Sequence, residues 1–214
     1  MFPRLLARDL ALARGRAGAA ALPVVFFLLV AVTFPFAVGP DAATLAKVGA
    51  GVVWVAALLA ALLPIPTLFE GDRADGTLDQ YAARGIPAEI VAAARWLAHW
   101  TAFALPLLMA APLAALLFGL KGPAILRFEL ALALGTPGLA SLAVVAAALT
   151  SGAREGGMLA GLLVFPLAVP LLIFGAGAAG GSGAGAFKLL GATTLVLVAM
   201  GPFAAGAGVR ASRG

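Results

Sequence analysis

Six apolar runs, each about long enough to cross a lipid bilayer, dominate this sequence. They lie at approximately 20–38, 48–69, 96–120, 130–149, 158–174 and 189–208. A membrane-spanning helix needs about 20 apolar residues, and these runs are apolar on all sides, whereas β-barrel strands alternate in hydrophobicity. The pattern predicts an all-α membrane protein with six transmembrane helices, in which residues 1–214 form a single membrane domain.

The composition agrees with this prediction. The chain is 63% hydrophobic and 11% charged, whereas soluble domains carry about 25% charged residues. Its net charge of +5 fits basic loops at an anionic membrane surface, so we expect a lipid bilayer and no nucleic acid as its environment. The sequence holds no cysteine, which excludes disulfides and thiolate metal sites.

The 14 lysines and arginines divide unevenly between the two sides that six spans create. Under the positive-inside rule, the side with more of them faces the cytoplasm. The N-terminal side holds ten: Arg4, Arg8, Arg14, Arg16, Arg73, Arg84, Arg95, Arg154, Arg210 and Arg213. The other side holds Lys47, Lys121, Arg127 and Lys188. We therefore predict that both termini and the loop between the second and third runs are cytoplasmic.

The first 18 residues mix basic and apolar side chains. The apolar run that follows is long enough to span, and no convincing cleavage site precedes it, so we interpret the segment as retained rather than as a signal peptide. On a helix, Phe2, Leu5, Leu6 and Leu12 would lie roughly to one side, which favours an amphipathic helix in the membrane interface. A plain basic flank is the alternative.

Five of the nine acidic residues are concentrated between the second and third runs: Glu70, Asp72, Asp75, Asp79 and Glu89. Gly76 allows a sharp turn there, and Thr77 followed by Gln80 has the spacing of a capping box at a helix start. Asp79 would lie in the first turn, where the helix dipole favours a negative charge. The pattern predicts a short helix on the cytoplasmic surface that ends near Arg84-Gly85, with Pro87 starting the next segment. The alternative is a solvated connector.

Several sources of energy or chemistry are excluded by what the sequence lacks. No Gly-Lys pair occurs, so there is no P-loop for ATP. The runs carry ionisable residues only at their ends, which argues against an ion-coupled transporter and against an intramembrane protease of the metal or aspartyl type. If the chain transports, its energy must come from a partner, and the acidic loop is the candidate contact.

Residues 70–88, which we call the coupling segment, resemble the cytoplasmic coupling segment of type-2 ABC exporter permeases. Other blocks resemble the CcmB family, the permeases of the cytochrome c maturation system. These blocks are Gly51-Val52-Val53-Trp54-Val55-Ala56-Ala57-Leu58-Leu59, Ala98-His99-Trp100, Leu134-Gly135-Thr136-Pro137, Gly156-Gly157 followed by Leu162-Leu163-Val164-Phe165-Pro166-Leu167, and Gly201-Pro202-Phe203-Ala204. The resemblance covers roughly residues 4 to 210.

The resemblance implies a non-catalytic membrane subunit in the bacterial inner membrane. A separate CcmA-type ATPase would bind and hydrolyse ATP, and CcmC-like and CcmD-like membrane proteins would complete the complex. ATP hydrolysis would drive haem export or the release of a haem-loaded, CcmE-like periplasmic chaperone. Haem is thus a possible cargo rather than a bound cofactor, and two copies of the chain are expected to pair as a homodimer.

The resemblance also implies which residues dock the ATPase: Glu70, Asp72, Asp75, Gly76, Thr77, Leu78, Asp79, Gln80 and Tyr81. Among them, we expect Leu78 and Tyr81 to be buried anchors in the partner, with the acids setting orientation. Two alternatives remain at this point: a type-2 permease for a lipid, glycan or drug, and a membrane scaffold without a transport path.

His99 is the only histidine in the chain. An imidazole can ligate haem iron, so His99 and its neighbour Trp100 form a candidate haem or interface site. The other interpretation is a hydrogen-bonded histidine beside Trp96 and Trp100 at the level of the lipid headgroups. No metal site is predicted.

Overall fold

The computed structural model describes residues 1–15, 17–39, 41–152 and 156–212. Within these residues the chain is helical and contains no strand. The helices are α1 (Phe2–Gly15), α2 (Ala17–Val38), α3 (Ala42–Leu62), α4 (Ile65–Leu68), α5 (Glu70–Ala74), α6 (Thr77–Ala83), α7 (Ala88–Leu117), α8 (Pro123–Thr150), α9 (Gly156–Gly180) and α10 (Ala184–Ala211).

The long helices match the apolar runs. Among the described residues, five segments are long and apolar enough to cross a membrane: Ala21–Val38 in α2, Ala42–Ala74 from α3 through α5, α7, α8 and α10. The fifth run, 158–174, lies on α9, of which Val164–Gly180 counts as a shorter apolar helix. The predicted all-α membrane protein is confirmed. The predicted orientation stays a prediction, and three of the arginines that support it, Arg16, Arg154 and Arg213, lie outside the described residues.

Helix α8 occupies the centre of the bundle, where it packs against α7, α9 and α10. Small residues allow this close packing, as is common between membrane helices. The fully buried ring of Trp54 on α3 lies against Gly135 on α8 and Gly175 on α9, and a Cβ at either glycine would overlap the ring. Space left by two glycines therefore positions the largest core side chain.

Two tryptophans join α7 to the part of α8 around Pro137. A proline inside a helix frees the carbonyl four residues earlier, and the carbonyl freed by Pro137, that of Ala133, accepts a hydrogen bond from the Thr136 hydroxyl at 3.4 Å. The Trp100 indole N–H donates to Thr136 Oγ1 at 3.2 Å, and Trp96 donates to the Pro137 carbonyl at 3.0 Å. Thr136 and Pro137 thus supply acceptors for the neighbouring helix.

Residues 175–186 contain only glycine, alanine and serine, a composition that predicts a flexible outer loop. That prediction is wrong. Helix α9 continues to Gly180 and α10 begins at Ala184, so only three residues connect them. Ala178 and Ala179 are buried, and Gly175 faces Trp54. Tertiary packing therefore overrides the weak helix propensity of glycine.

The N-terminal segment forms a helix, as expected for its amphipathic pattern. Helix α1 packs against α7 and buries Leu5 together with Asp9, while Arg4 and Ala7 are exposed. A buried carboxylate on this face was not expected. Because the Asp9 carboxylate lies beside the coupling segment, α1 is part of the candidate site.

Candidate coupling site

The coupling segment consists of two short helices joined by a turn. Helix α5 ends at Ala74, and Gly76 adopts a left-handed conformation with φ of 69°, which favours glycine because it has no Cβ. Its N–H donates to the Arg73 carbonyl at 3.1 Å. Gly85, with φ of 68°, follows the end of α6, and Pro87 precedes α7. The predicted turn at Gly76 and the predicted helix end near Arg84-Gly85 are confirmed.

The predicted capping box of Thr77 and Gln80 is wrong. Gly76 occupies the cap position of α6 and offers no side chain, so Thr77 is the first helical residue instead of the cap. The Gly76 carbonyl accepts the first bond of the helix from the Gln80 N–H at 3.1 Å. The left-handed turn that closes α5 therefore decides where α6 begins. Asp79 lies in the first turn of α6, as predicted.

The residues predicted to dock an ATPase differ in exposure. Asp75, Asp79 and Gln80 are exposed. Glu70, Gly76, Thr77 and Tyr81 are partly exposed, and Asp72 and Leu78 are buried. We call the exposed trio Asp75, Asp79 and Gln80 the acidic face.

Leu78 does not have the exposure expected of an anchor in a partner protein. Its side chain is only 2% exposed and belongs to the hydrophobic core of the chain itself. Because Leu78 is the second residue of α6, its burial packs the start of α6 into that core. The expected external anchor is thus an internal one in this conformation.

Asp72 is buried, and its charge is paired there, as buried charges require. It belongs to a cluster of four charged side chains, which we call the ion network: Arg8, Asp9, Asp72 and Arg95. Arg95 on α7 donates from Nε to Asp9 Oδ2 at 2.9 Å and from Nη2 to Asp9 Oδ1 at 3.3 Å. Arg95 Nη2 also donates to Asp72 Oδ2, and Nη1 donates to the Leu68 carbonyl. One guanidinium therefore binds α1, α4 and α5 at once.

Arg8 completes the ion network from α1. It donates to both carboxylate oxygens of Asp72, with Nη1 at 2.9 Å from Oδ2, and Nη1 lies 3.2 Å from Asp9 Oδ1. The hydrogen bond and charge of Asp72 hold the pKa of Arg8 above its usual value although burial opposes this. The network therefore consists of two cations and two anions whose charges balance.

Glu70 connects the coupling segment to the residues that follow α8. Its carboxylate accepts hydrogen bonds from Arg73, at 2.6 Å from Nη2 and 3.1 Å from Nε. Glu70 Oε2 also accepts from the Gly152 N–H at 3.3 Å, just after α8. Helix α5 is thus bound to α1 and α7 on one side and to the end of α8 on the other.

Asp9 and Arg95 were missed as functional candidates in the sequence. Asp9 is the only acid among the first 40 residues, and it lies one helical turn after Leu5 on the buried side of α1. An isolated carboxylate at an apolar position is a signal that it has a partner, since buried charges are paired. The identity of that partner, 86 residues away, has no local signature.

His99 is buried inside the bundle, with 5% of its surface exposed. Its ring stacks on Phe103 at 5.2 Å between centroids and contacts the backbone of Ala61, while Nε2 has no hydrogen-bond partner within the described part of the chain. Both rings line a cavity of about 120 Å³, below the roughly 300–1,000 Å³ typical of ligand pockets. The indole N–H of Trp100 donates a hydrogen bond to Thr136. These observations do not favour haem ligation by His99.

Among the residues that the structure describes, no group of three or more potential ligands is placed to hold a metal ion. Residues 1–212 match the family described as CcmB protein. The chain belongs to the CcmB family.

Similar proteins match the chain over nearly its whole length. It is 46% identical over 211 residues to Heme exporter protein B of Paracoccus denitrificans, covering 96% of the chain and 97% of the relative. The corresponding protein of Rhodobacter capsulatus is 45% identical over 211 residues, with 96% and 97% covered. Heme exporter protein B of Escherichia coli K12 is 38% identical over 217 residues, with 99% of each covered. The CcmB match includes the coupling segment and all four residues of the ion network.

Proposed function

We propose that this chain is the membrane subunit of an ATP-driven haem exporter complex that serves cytochrome c maturation. The nearly full-length match to relatives named Heme exporter protein B carries this proposal. The chain would form one membrane domain over residues 1–214, in the inner membrane of a bacterium, with both termini in the cytoplasm. The absence of a P-loop from the sequence assigns ATP to another subunit.

The acidic face is the proposed contact for that subunit, a CcmA-type ATPase. Asp75, Asp79 and Gln80 are exposed on the turn and first residues of α6, where they would pair with basic and polar groups of the ATPase. Such pairs set orientation and association rate more than affinity. Glu70, Gly76, Thr77 and Tyr81 would lie at the edge of the contact. Asp72 and Leu78 would support it from behind, because both are buried in the chain itself.

Movement of the ATPase would be transmitted through the coupling segment to the helices on either side of it. Helix α4 precedes α5, and α7 follows α6, so a force on the acidic face acts on the second and third spans. Nucleotide would then bias two arrangements of the helices, as any ligand-driven switch requires. Two copies of the chain with two ATPase subunits would form the core of the complex. CcmC-like and CcmD-like proteins would complete it, and a CcmE-like chaperone would act at the outer side.

The cargo under this proposal is haem, or the haem-loaded chaperone that the complex releases. The relatives' printed name supports haem over a lipid, glycan or drug. Deletion of the gene followed by haem staining of c-type cytochromes tests the assignment. We expect the cytochromes to disappear and to return when the intact chain is expressed. Normal staining in the deletion strain would exclude the proposal.

Docking is tested with the double substitution Asp75→Asn and Asp79→Asn. Asp41→Asn is the matched control, because Asp41 is also an exposed acid but lies before α3, on the side predicted to face away from the ATPase. We expect the double variant to recover less ATPase on co-purification at low salt, with the difference from the intact chain shrinking as salt is raised, while the control matches the intact chain. Equal recovery by all three proteins would refute docking through the acidic face.

A further inference from the structure

Helix α1 and the coupling segment are distant in sequence but joined in the structure. Arg8 and Asp72, which are 64 residues apart, share two hydrogen bonds. The Arg8 guanidinium also lies over the Tyr81 ring, with Cζ 5.8 Å from the ring centroid, a favourable cation–π distance. One arginine of α1 therefore contacts both short helices of the coupling segment.

Arg95 makes the corresponding contacts from α7. It holds Asp9 through two hydrogen bonds and Asp72 through another. Its guanidinium lies over the Phe69 ring, with Cζ 5.1 Å from the centroid. The side chains of Arg95 and Asp9 are 10% and 5% exposed, so water competes little for these bonds. Helices α1, α5 and α7 are thus joined at one buried point.

We propose that Asp9 and Arg95 are positioning residues that make α1, the coupling segment and α7 move as one unit when the ATPase acts on the acidic face. This inference rests on the proposed function. It adds the N-terminal helix to the moving part, and it assigns the ion network a role in transmission beyond its contribution to folding.

The geometry of the ion network supports transmission of a movement. Planar, two-pronged pairs between arginine and carboxylate fix both distance and orientation, whereas apolar contacts tolerate sliding. Buried ion pairs are weak sources of stability, because apolar residues of similar volume often stabilise as well. A cluster of three buried charges and the half-buried Arg8, which links three helices, therefore serves to hold their relative orientation.

The first test compares Asp9→Asn with the control Arg4→Gln in the assembled complex. Arg4 lies one turn before Arg8 on α1 and is exposed. We expect Asp9→Asn to retain the ATPase on co-purification but to lower c-type cytochromes, because α1 would no longer move together with the coupling segment and α7. Arg4→Gln should match the intact chain. Cytochrome levels with Asp9→Asn equal to those of the intact chain would overturn the inference.

A second variant separates positioning from folding. The double substitution Asp9→Leu and Arg95→Met removes one charge of each sign and replaces them with apolar side chains, which preserves folding in other buried pairs. We expect normal yield of the folded complex with cytochromes still reduced. Full recovery of cytochromes by this variant would show that only packing matters and would overturn the inference.

Spin labels test whether α1 and the coupling segment keep a fixed relative position. The sequence contains no cysteine, so Ala11→Cys on α1 and Ala83→Cys on α6, both exposed positions, give one defined pair within each copy of the chain when labelled chain is diluted with unlabelled chain. In the complex we expect one narrow distance between the labels with and without trapped nucleotide, and a broad distribution when Asp9→Asn is added. A distance that changes on nucleotide trapping in the otherwise intact chain would overturn the inference.

The experiments distinguish failure of the proposed function from failure of this inference alone. An intact chain that neither binds the ATPase nor restores cytochromes in the deletion strain would refute the proposed function and this inference together. An intact chain that does both, alongside Asp9 variants that also do both, would refute the inference alone.

Discussion

The ion network and the Trp54 contact hold helices together by opposite means. The network joins α1, α5 and α7 through four charged side chains at the coupling segment. The Trp54 contact joins α3, α8 and α9 through one ring lying against two glycines. The ion network depends on directional hydrogen bonds. The Trp54 contact depends on the absence of a Cβ atom at two glycines.

The difference indicates what each region tolerates. Buried charges need partners, so removing a side chain from the network leaves an opposite charge unpaired. The Trp54 contact needs room, so adding a single carbon to a glycine disturbs it. The network lies where a partner protein is proposed to push, whereas the Trp54 contact lies in the apolar core of the bundle.

Arg95→Ala is expected to have the largest effect. It removes the bonds to Asp9, Asp72 and the Leu68 carbonyl, and Arg8 alone remains for two buried carboxylates. Removing one partner of a buried ion pair costs about 3–5 kcal/mol. Thermal unfolding in detergent, with the double variant Asp9→Leu and Arg95→Met as control, measures the loss. A decrease below about 1 kcal/mol, the range of exposed pairs, would show that the network is hydrated rather than buried.

Gly135→Ala tests the other kind of contact. A Cβ at Gly135 would overlap the Trp54 ring, and such overpacking costs about 1–3 kcal/mol. Gly51→Ala is the matched control, since Gly51 is also helical but has open space around its Cβ position. Alanine is favoured over glycine within a helix by roughly 0.5–1 kcal/mol, so the control should be neutral or stabilising. Equal unfolding temperatures for the two variants would contradict the role of the glycines.

The sequence was sufficient to predict the membrane helices because each apolar run extends over a whole span. It also predicted the turns at Gly76 and Gly85, where a left-handed backbone requires glycine. In both cases the signal is local: the residues that determine the structure are neighbours along the chain.

The failures have a common physical cause. Thr77 is not a cap because the turn closing α5 places Gly76 there, and residues 175–180 are helical because Trp54 and other core residues pack on them. Leu78 points into its own chain rather than to a partner. The pairing of Asp9 with Arg95 depends on where α1 docks. Each outcome is decided by contacts between distant segments, which local patterns do not contain.

Thr136→Val is a milder test of polar contacts inside the apolar region. It removes the acceptor of the Trp100 indole N–H and a donor to the carbonyl freed by Pro137. The net value of a typical hydrogen bond is about 0.5–1.5 kcal/mol, so we expect a loss of that size in thermal unfolding. Thr101→Val serves as control, because the Thr101 hydroxyl bonds only to carbonyls of its own helix. A larger effect in the control would contradict a role for Thr136 in joining α7 to α8.

The smallest effect is expected at the ion pair between Glu89 and Arg210, which joins the start of α7 to the end of α10. It has the same chemistry as the ion network but is far more exposed, at 29% and 49% for the two side chains. Exposed pairs contribute about 0.2–1 kcal/mol, so Glu89→Gln should lower stability only slightly. Salt on the order of 1 M, where the Debye length is about 3 Å, should abolish that difference while leaving the cost of Arg95→Ala largely intact. If salt instead diminished both losses equally, burial would not be what distinguishes the two groups of charges, and the rigid connection proposed for α1, α5 and α7 would lose its physical basis.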